Sequence, residues 1–308
     1  VNRLINKTLA LCLLCTGFAH AGEALVQSAI DKKDYTLAFA AAKADVKDGT
    51  ATDVERLLLA QMYANGQGTE KDLNAARDIL KPLVNKNMPE AQFILAGMLQ
   101  SEAVVGLKSS DGQLNLVRFK ELAQRPLSER ENERYAAELV YKAALQNFQP
   151  AVEAVCMDLD NAVIAFGGTE RANWYRKCNK ESWAKASEMG QSLVPLNLRR
   201  DVLRDPVIGE AFAQQAVKAS CLDENIKPVD FKIGKPVTGG EYLTLQLDKP
   251  KQYKMIRGQW QEIWIGQACG KQFAVPIIFK ADGMGGAGFA PDVSPEQLEL
   301  LIKAALPK

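Results

Sequence analysis

Over roughly the first two hundred residues the apolar positions recur at helical spacing, and beyond Cys221 they begin to alternate. The helical texture is broken at Gly66-Gln67-Gly68, at Asn87-Met88-Pro89 and at Asn147-Phe148-Gln149-Pro150. It resumes from Arg171 to Met189, is punctuated by Pro195 and Pro206, and predicts a helix from Val207 to Ala219. Tyr242-Leu243-Thr244-Leu245-Gln246-Leu247 alternates as a strand does. Gln259 to Gln267 and Lys271 to Lys280 are rich in aromatic and β-branched residues and flank Cys269-Gly270, which predicts a β-hairpin. Ser294-Pro295-Glu296-Gln297 opens a last helix, with Ser as cap, Pro at the first helical position and Gln297 completing a capping box. The pattern predicts a mainly α protein: a helical region over 22–205, then a small α+β domain with an antiparallel sheet over 206–308.

The helical region contains an internal repeat. Leu59-Ala60-Gln61-Met62-Tyr63 returns 36 residues later as Leu95-Ala96-Gly97-Met98-Leu99. Between the two copies stand Gly66-Gln67-Gly68 and Asp72-Leu73-Asn74-Ala75-Ala76. This succession resembles the Sel1-like, tetratricopeptide-type repeats. The resemblance is close from Leu59 to Leu99 and extends in weaker copies over about 23–165. Lys33 to Ala38 echoes Lys71 to Ala76, and Asn147 to Ala151 echoes Asn87 to Ala91. Ser101 to Arg130 departs from it and reads as an insertion with a short helix around Leu114 to Leu122. The resemblance implies a solenoid of helical hairpins. Gly66 and Gly68 then supply positive φ in the inter-helix turn, and Ala60, Ala75 and Ala76 keep crossing helices close.

The first residues carry a second signal. Arg3 and Lys7 precede a short apolar run, Thr8 to Phe18, and Ala19-His20-Ala21 is a small-x-small cleavage pattern. Residues 1–21 therefore read as a secretory signal peptide of bacterial type, with Gly22 as the first mature residue and a periplasmic or secreted destination. Cleavage would remove His20, the single histidine, and with it imidazole chemistry and His-containing zinc sites. It would leave Cys156, Cys178, Cys221 and Cys269, an even number in an oxidising compartment. Four cysteines allow three pairings; proximity along the chain favours Cys156 with Cys178 and Cys221 with Cys269. A four-thiolate zinc site is the alternative, although no Cys-x-x-Cys pair is present.

Composition changes this picture little. The chain of 308 residues has a net charge of +1, which gives no global attraction to nucleic acid, and no run after the leader is apolar enough to span a membrane. Trp260, Glu262 and Trp264 share one face of their strand and are a candidate sugar-binding platform, with core packing as the competing reading. The glycine-rich stretch Ala281 to Gly288 lacks phosphate-loop and calcium-loop signatures and reads as a mobile loop. No nucleophile motif, metal-ligand set or cofactor fingerprint stands out, so no catalytic residue, metal or cofactor is expected. The Sel1-like resemblance implies a non-catalytic periplasmic protein–protein interaction adaptor. Its partner would be an envelope protein or peptide, met by a repeat groove with Asn65, Gln67 and Asn74 on its surface. The alternative is an envelope-polysaccharide binder or hydrolase working through the C-terminal domain.

Overall fold

The computed structural model describes residues 21–109, 111–222 and 225–305. All of the expected leader except Ala21 lies outside the described residues.

Helix ends are set by local chemistry. Helices α1 (Ala21–Asp31) and α2 (Tyr35–Asp48) are joined through Lys33 at φ 61°, and Asp34 caps α2 by accepting the Leu37 amide. Helix α3 (Asp53–Asn65) opens on a capping box. The Thr52 hydroxyl accepts the Glu55 amide at 3.1 Å, and Glu55 Oε2 accepts the Thr52 amide at 2.6 Å. Helix α4 (Leu73–Asn85) begins where Asp72 accepts the amides of Asn74 and Ala75. The Asp34 and Asp72 echo in the sequence is thus a shared N-cap. Asn87 leads into α5 (Pro89–Ala103) at φ 62°, and Asn147, after α7 (Glu131–Leu145), leads into α8 (Gln149–Asn161) at φ 61°. The following amide reaches back five residues in both turns, Met88 to the Leu83 carbonyl at 3.1 Å and Phe148 to the Ala143 carbonyl at 3.2 Å. These are the same left-handed helix closures, built on asparagine because it tolerates positive φ.

The chain groups into two compact units. One comprises the described residues up to Val105 together with Asn132–Ala154; the other comprises Gly106–Glu131 and the described residues from Val155 onward. In the first unit α1 to α5 each pack against the next, and α1 also meets α3 and α3 meets α5. Val26, Ala38, Ala42, Leu59 and Met62 form its core beside an edge-to-face pair of Phe39 and Tyr63 with centroids 5.0 Å apart. Leu80 and Leu83 of α4 are buried as well. Phe93 of α5 meets Phe148 edge to face at 5.7 Å, and Gln146 donates to Gln92 at 3.1 Å.

In the second unit α6 (Leu116–Gln124) comes from the insertion, close to the short helix the sequence predicts. Helices α9 (Gly168–Lys177), α10 (Glu181–Glu188), α11 (Leu196–Arg204) and α12 (Pro206–Lys218) precede the sheet. The sheet is antiparallel in the order β1 (Lys227–Leu245), β2 (Lys251–Ala268), β3 (Lys271–Ala281), β4 (Ala287–Pro291). Helix α13 (Pro295–Ala305) closes the chain on the expected box, with Ser294 and Gln297 exchanging two hydrogen bonds. The β2–β3 ladder is unbroken from Gln259↔Lys280 to Ala268↔Lys271, and its tip, Cys269-Gly270, takes φ 50° and 68°, as a two-residue hairpin turn requires. One sheet face carries Trp260, Trp264, Phe273, Val275, Ile277 and Phe279 into a core shared with Val202, Ile208 and Phe212. Thirteen α-helices and four strands are present among the described residues, and no helix among them is long and apolar enough to cross a membrane.

Three features differ from the sequence reading. Strand β1 begins fifteen residues before Tyr242, at Lys227; its six register shifts hide the alternation. The grouping of residues also differs from a division at 206. Val163 and Val194 pack in the sheet's core, so 155–205 and the insertion belong with the strands. Finally, the glycine-rich stretch is a tied turn between β3 and β4. Asp282 accepts the Met284 amide at 2.7 Å, and the Gly285 carbonyl accepts the Val163 amide at 2.7 Å. Gly283, at φ 87°, lies so close to α6 that a methyl group there would overlap the Ala123 carbonyl.

Candidate binding site

That turn forms one wall of a cleft of about 570 Å³ within the second unit. Helix α6 supplies Phe119, Lys120 and Ala123; β1 supplies Thr238 and Gly239; β2 supplies Ile256 and Arg257; β3 supplies Lys280. Thr238, Gln259 and Lys280 are direct partners across three neighbouring strands, so they lie in one row on one face. Ile256 is buried and forms an apolar floor with Phe119 and Ala123. Arg257 is committed to structure. It pairs with Glu241 and donates to the carbonyls of Gln124 at 3.1 Å and Arg125 at 3.2 Å, which fastens the end of α6 to the sheet. Lys120 and Lys280 are exposed and make no ion pair among the described residues. Asp282 is the one acid in the lining, and its Oδ1 is engaged by the Met284 amide. The cleft therefore offers two available ammonium groups above an apolar floor, an arrangement suited to a carboxylate with an apolar body.

Strand β1 adds main-chain groups beside it. It is an edge strand, and Pro236, Val237, Gly239 and Gly240 have no partner in the β2 register. Edge groups of this kind can pair with an extended peptide. Sequence reading missed the cleft because its cations lie far apart in the chain. The only local signal was the glycine cluster at 283–288.

Trp260, Glu262 and Trp264 are brought together as the strand period demands, but in the core. Their exposures are 2%, 0% and 1%. An indole so enclosed cannot stack on a sugar, so the platform reading is corrected. Glu262 Oε1 accepts the Trp260 indole N–H at 3.0 Å and the Leu193 amide at 2.8 Å; Oε2 accepts the Trp264 indole N–H at 2.9 Å. Arg171 and Arg199 lie nearby in the same buried network. Arg171 donates to the carbonyls of Ile164, Ser192 and Leu193 at 2.8–3.1 Å. Arg199 donates to those of Val194 and Ala186. Burial lowers both guanidinium pKa values, that of Arg171 to about 10, with the neighbouring Arg199 adding to the shift. Arg199 also stacks over Phe231 at 4.9 Å, and Phe231 meets Trp264 edge to face at 4.8 Å. The network fixes the 192–194 segment against the sheet.

The four cysteines form two disulfides, Cys156–Cys178 and Cys221–Cys269, the pairing that proximity favoured; this consumes the thiols a zinc site would need. Among the described residues no group of three or more metal-ligating side chains comes together. In the first unit Gly66 and Gly68 hold φ 69° and 71°. A methyl group on Gly68 would overlap the Tyr35 carbonyl and stand 3.0 Å from Phe39 Cβ, so the turn after α3 rests directly on α2. Ala60 and Ala76 are fully buried and Ala75 is half-buried; Asn65 and Asn74 are exposed, and Gln67 is half-buried.

No protein-family model matches the chain, and comparison with the curated proteins finds no match.

Proposed function

We propose that this protein is a periplasmic, non-catalytic interaction adaptor whose helical unit is a Sel1-like repeat array and whose second unit contributes an acidic-peptide contact. The observation that carries the reading is the succession of helices in the first unit. Each of α1 to α5 packs on the next, α1 also meets α3 and α3 meets α5, and their turns close by repeated left-handed caps, as stacked hairpins do. Stacked hairpins offer a concave surface to a protein partner. Two disulfides, with no helix among the described residues long and apolar enough to cross a membrane, fit an exported protein. The cleft, with Lys120 and Lys280 over Ile256 and Phe119, supports the second contact.

Photo-crosslinking in living cells tests the adaptor reading, with probes at positions 65, 67, 74 and 280. Discrete protein adducts, competed by unlabelled protein, support it; glycan adducts or none at all overturn it. For the cleft, an Asp/Glu-rich peptide is titrated against its Asn/Gln counterpart. Lys120→Glu combined with Lys280→Glu is expected to weaken the acidic peptide at least about tenfold at low salt, as loss of two close charge contacts predicts. Equal binding of the two peptides removes the cleft from the proposal.

A further inference from the structure

The start of α1 lies in an acidic corner of the helical unit. A methyl group at Gly22 would overlap Asp45 Oδ2 and stand 2.8 Å from Glu55 Oε1, so both carboxyl groups lie beside Gly22 and leave no room for a side chain there. Asp45 comes from the last turn of α2 and Glu55 from the first turn of α3, the two helices that pack against α1. On α1 itself Glu23 is engaged, its Oε2 accepting the Thr52 hydroxyl at 2.9 Å. Glu55 is 1% exposed. Its Oε2 is used by the Thr52 amide, but its Oε1 is buried with no hydrogen-bond partner. A buried carboxyl oxygen without a donor is costly, and one packed beside the start of a helix calls for an explanation.

The cleavage pattern Ala19-His20-Ala21 independently makes Gly22 the first residue of the exported chain. We propose that this corner is a binding site for the chain's own new N-terminus: the Gly22 α-ammonium, formed on leader removal, pairs with Glu55 and Asp45. The proposal rests on the leader reading. Hydrolysis of the Ala21–Gly22 bond by a leader peptidase takes up one water. Ala21 leaves as a carboxylate, and the Gly22 nitrogen, which carried one hydrogen as an amide, carries three and a positive charge. Before cleavage that nitrogen is neutral and cannot balance two carboxylates. The helix dipole opposes a cation at the start of α1, and the paired carboxylates offset it. Glycine is required at this position because a side chain would occupy the space the carboxyl groups fill. The first helix is thereby held to the second and third most firmly in the processed chain.

The test uses protein purified from the periplasm, with its N-terminus read by mass spectrometry. The ¹⁵N-labelled Gly22 amine is titrated by NMR, and thermal melts compare the parent with a chain carrying one serine inserted between Ala21 and Gly22. Both are repeated with Asp45→Asn and with Glu55→Gln; Asp45→Asn leaves the Thr52–Glu55 capping box intact. The amine is expected to titrate at least about one unit above its ordinary 7.7–8.0. The serine insertion is expected to lower the melting temperature in the parent and to do so less in either acid variant. The advantage of the parent over the extended chain is full below the ordinary amine value and fades as pH rises through the raised one. A Gly22 terminus that titrates at its ordinary value, or an insertion equally harmful in all backgrounds, overturns the proposal alone. A mature terminus elsewhere overturns the leader reading with it.

Discussion

The indole N–H of Trp264 donates to Oε2 of Glu262 at 2.9 Å, in a place where neither side chain meets solvent. Trp260 and the Leu193 amide occupy the other oxygen, so every oxygen of this carboxyl group faces a donor. Glu262→Gln turns one oxygen into an NH₂ group that must confront an indole or amide N–H. The expected cost is about 1–3 kcal/mol, the penalty for an unsatisfied buried donor. Denaturant unfolding followed by tryptophan fluorescence measures it, and a midpoint equal to the parent's would mean that the network adds nothing to stability.

Arg171, itself buried, satisfies three main-chain carbonyls with one guanidinium. Arg171→Met keeps much of the volume and removes all three donors. The loss is expected to be about 3–5 kcal/mol, as for breaking one side of a buried charged network. Calorimetry of the purified variant checks this, and a change below about 1 kcal/mol contradicts it.

Gly68 and Ala76 test the packing of the first unit. Gly68→Val puts a branched side chain at φ 71° and into the Tyr35 carbonyl, and is expected to cost more than about 2 kcal/mol. Ala76→Leu forces methylenes into a fully buried contact, at about 1–3 kcal/mol. Glu70→Ala, at an exposed position of the same turn, should change stability by less than about 0.5 kcal/mol. Thermal melts in which Glu70→Ala is the most damaging of the three would refute the packing described for this turn.

The disulfides close stretches of different length, with sequence separations of 22 and 48. Replacing Cys221 and Cys269 by Ala is expected to cost about 4 kcal/mol, and replacing Cys156 and Cys178 about 3 kcal/mol, in the chain-entropy account. Thiol titration of the native protein should find none of these four cysteines free. Reactive thiols among them in protein from an oxidising compartment would contradict both bonds.

Asp292 reports on pH. The Lys235 ammonium, 3.0 Å away, holds its carboxyl group below the usual aspartate value, and a hydrogen bond from Gln261 adds to this. A depressed folded-state pKa gives stability that is present above the unfolded value of about 3.9 and is lost as pH falls through the lower folded one. The parent should therefore exceed Asp292→Asn in stability at neutral pH, with the gap closing below about pH 4. A gap that is constant down to pH 2 would assign the role of Asp292 to something other than its charge.

The helix starts and the hairpin were legible in the sequence because each depends on neighbours in the chain. Ser294 and Gln297 make a box wherever a helix follows them, and Asn87 and Asn147 close helices through bonds that reach back five residues. The pairing of the cysteines also followed from proximity. What sequence could not decide was which face of a strand is covered. Period two aligned Trp260, Glu262 and Trp264, but only α11 and α12 packing on that face made it core and left Thr238, Gln259 and Lys280 on the other. Residues 155–205 and the insertion joined the sheet for the same reason: Val163, Val194 and Ala123 find their partners across long stretches of chain. The cleft and the acidic corner at Gly22 are likewise products of tertiary structure. Charge and burial depend on distances between side chains that no local pattern encodes, and those distances exist only once the helices and strands have packed.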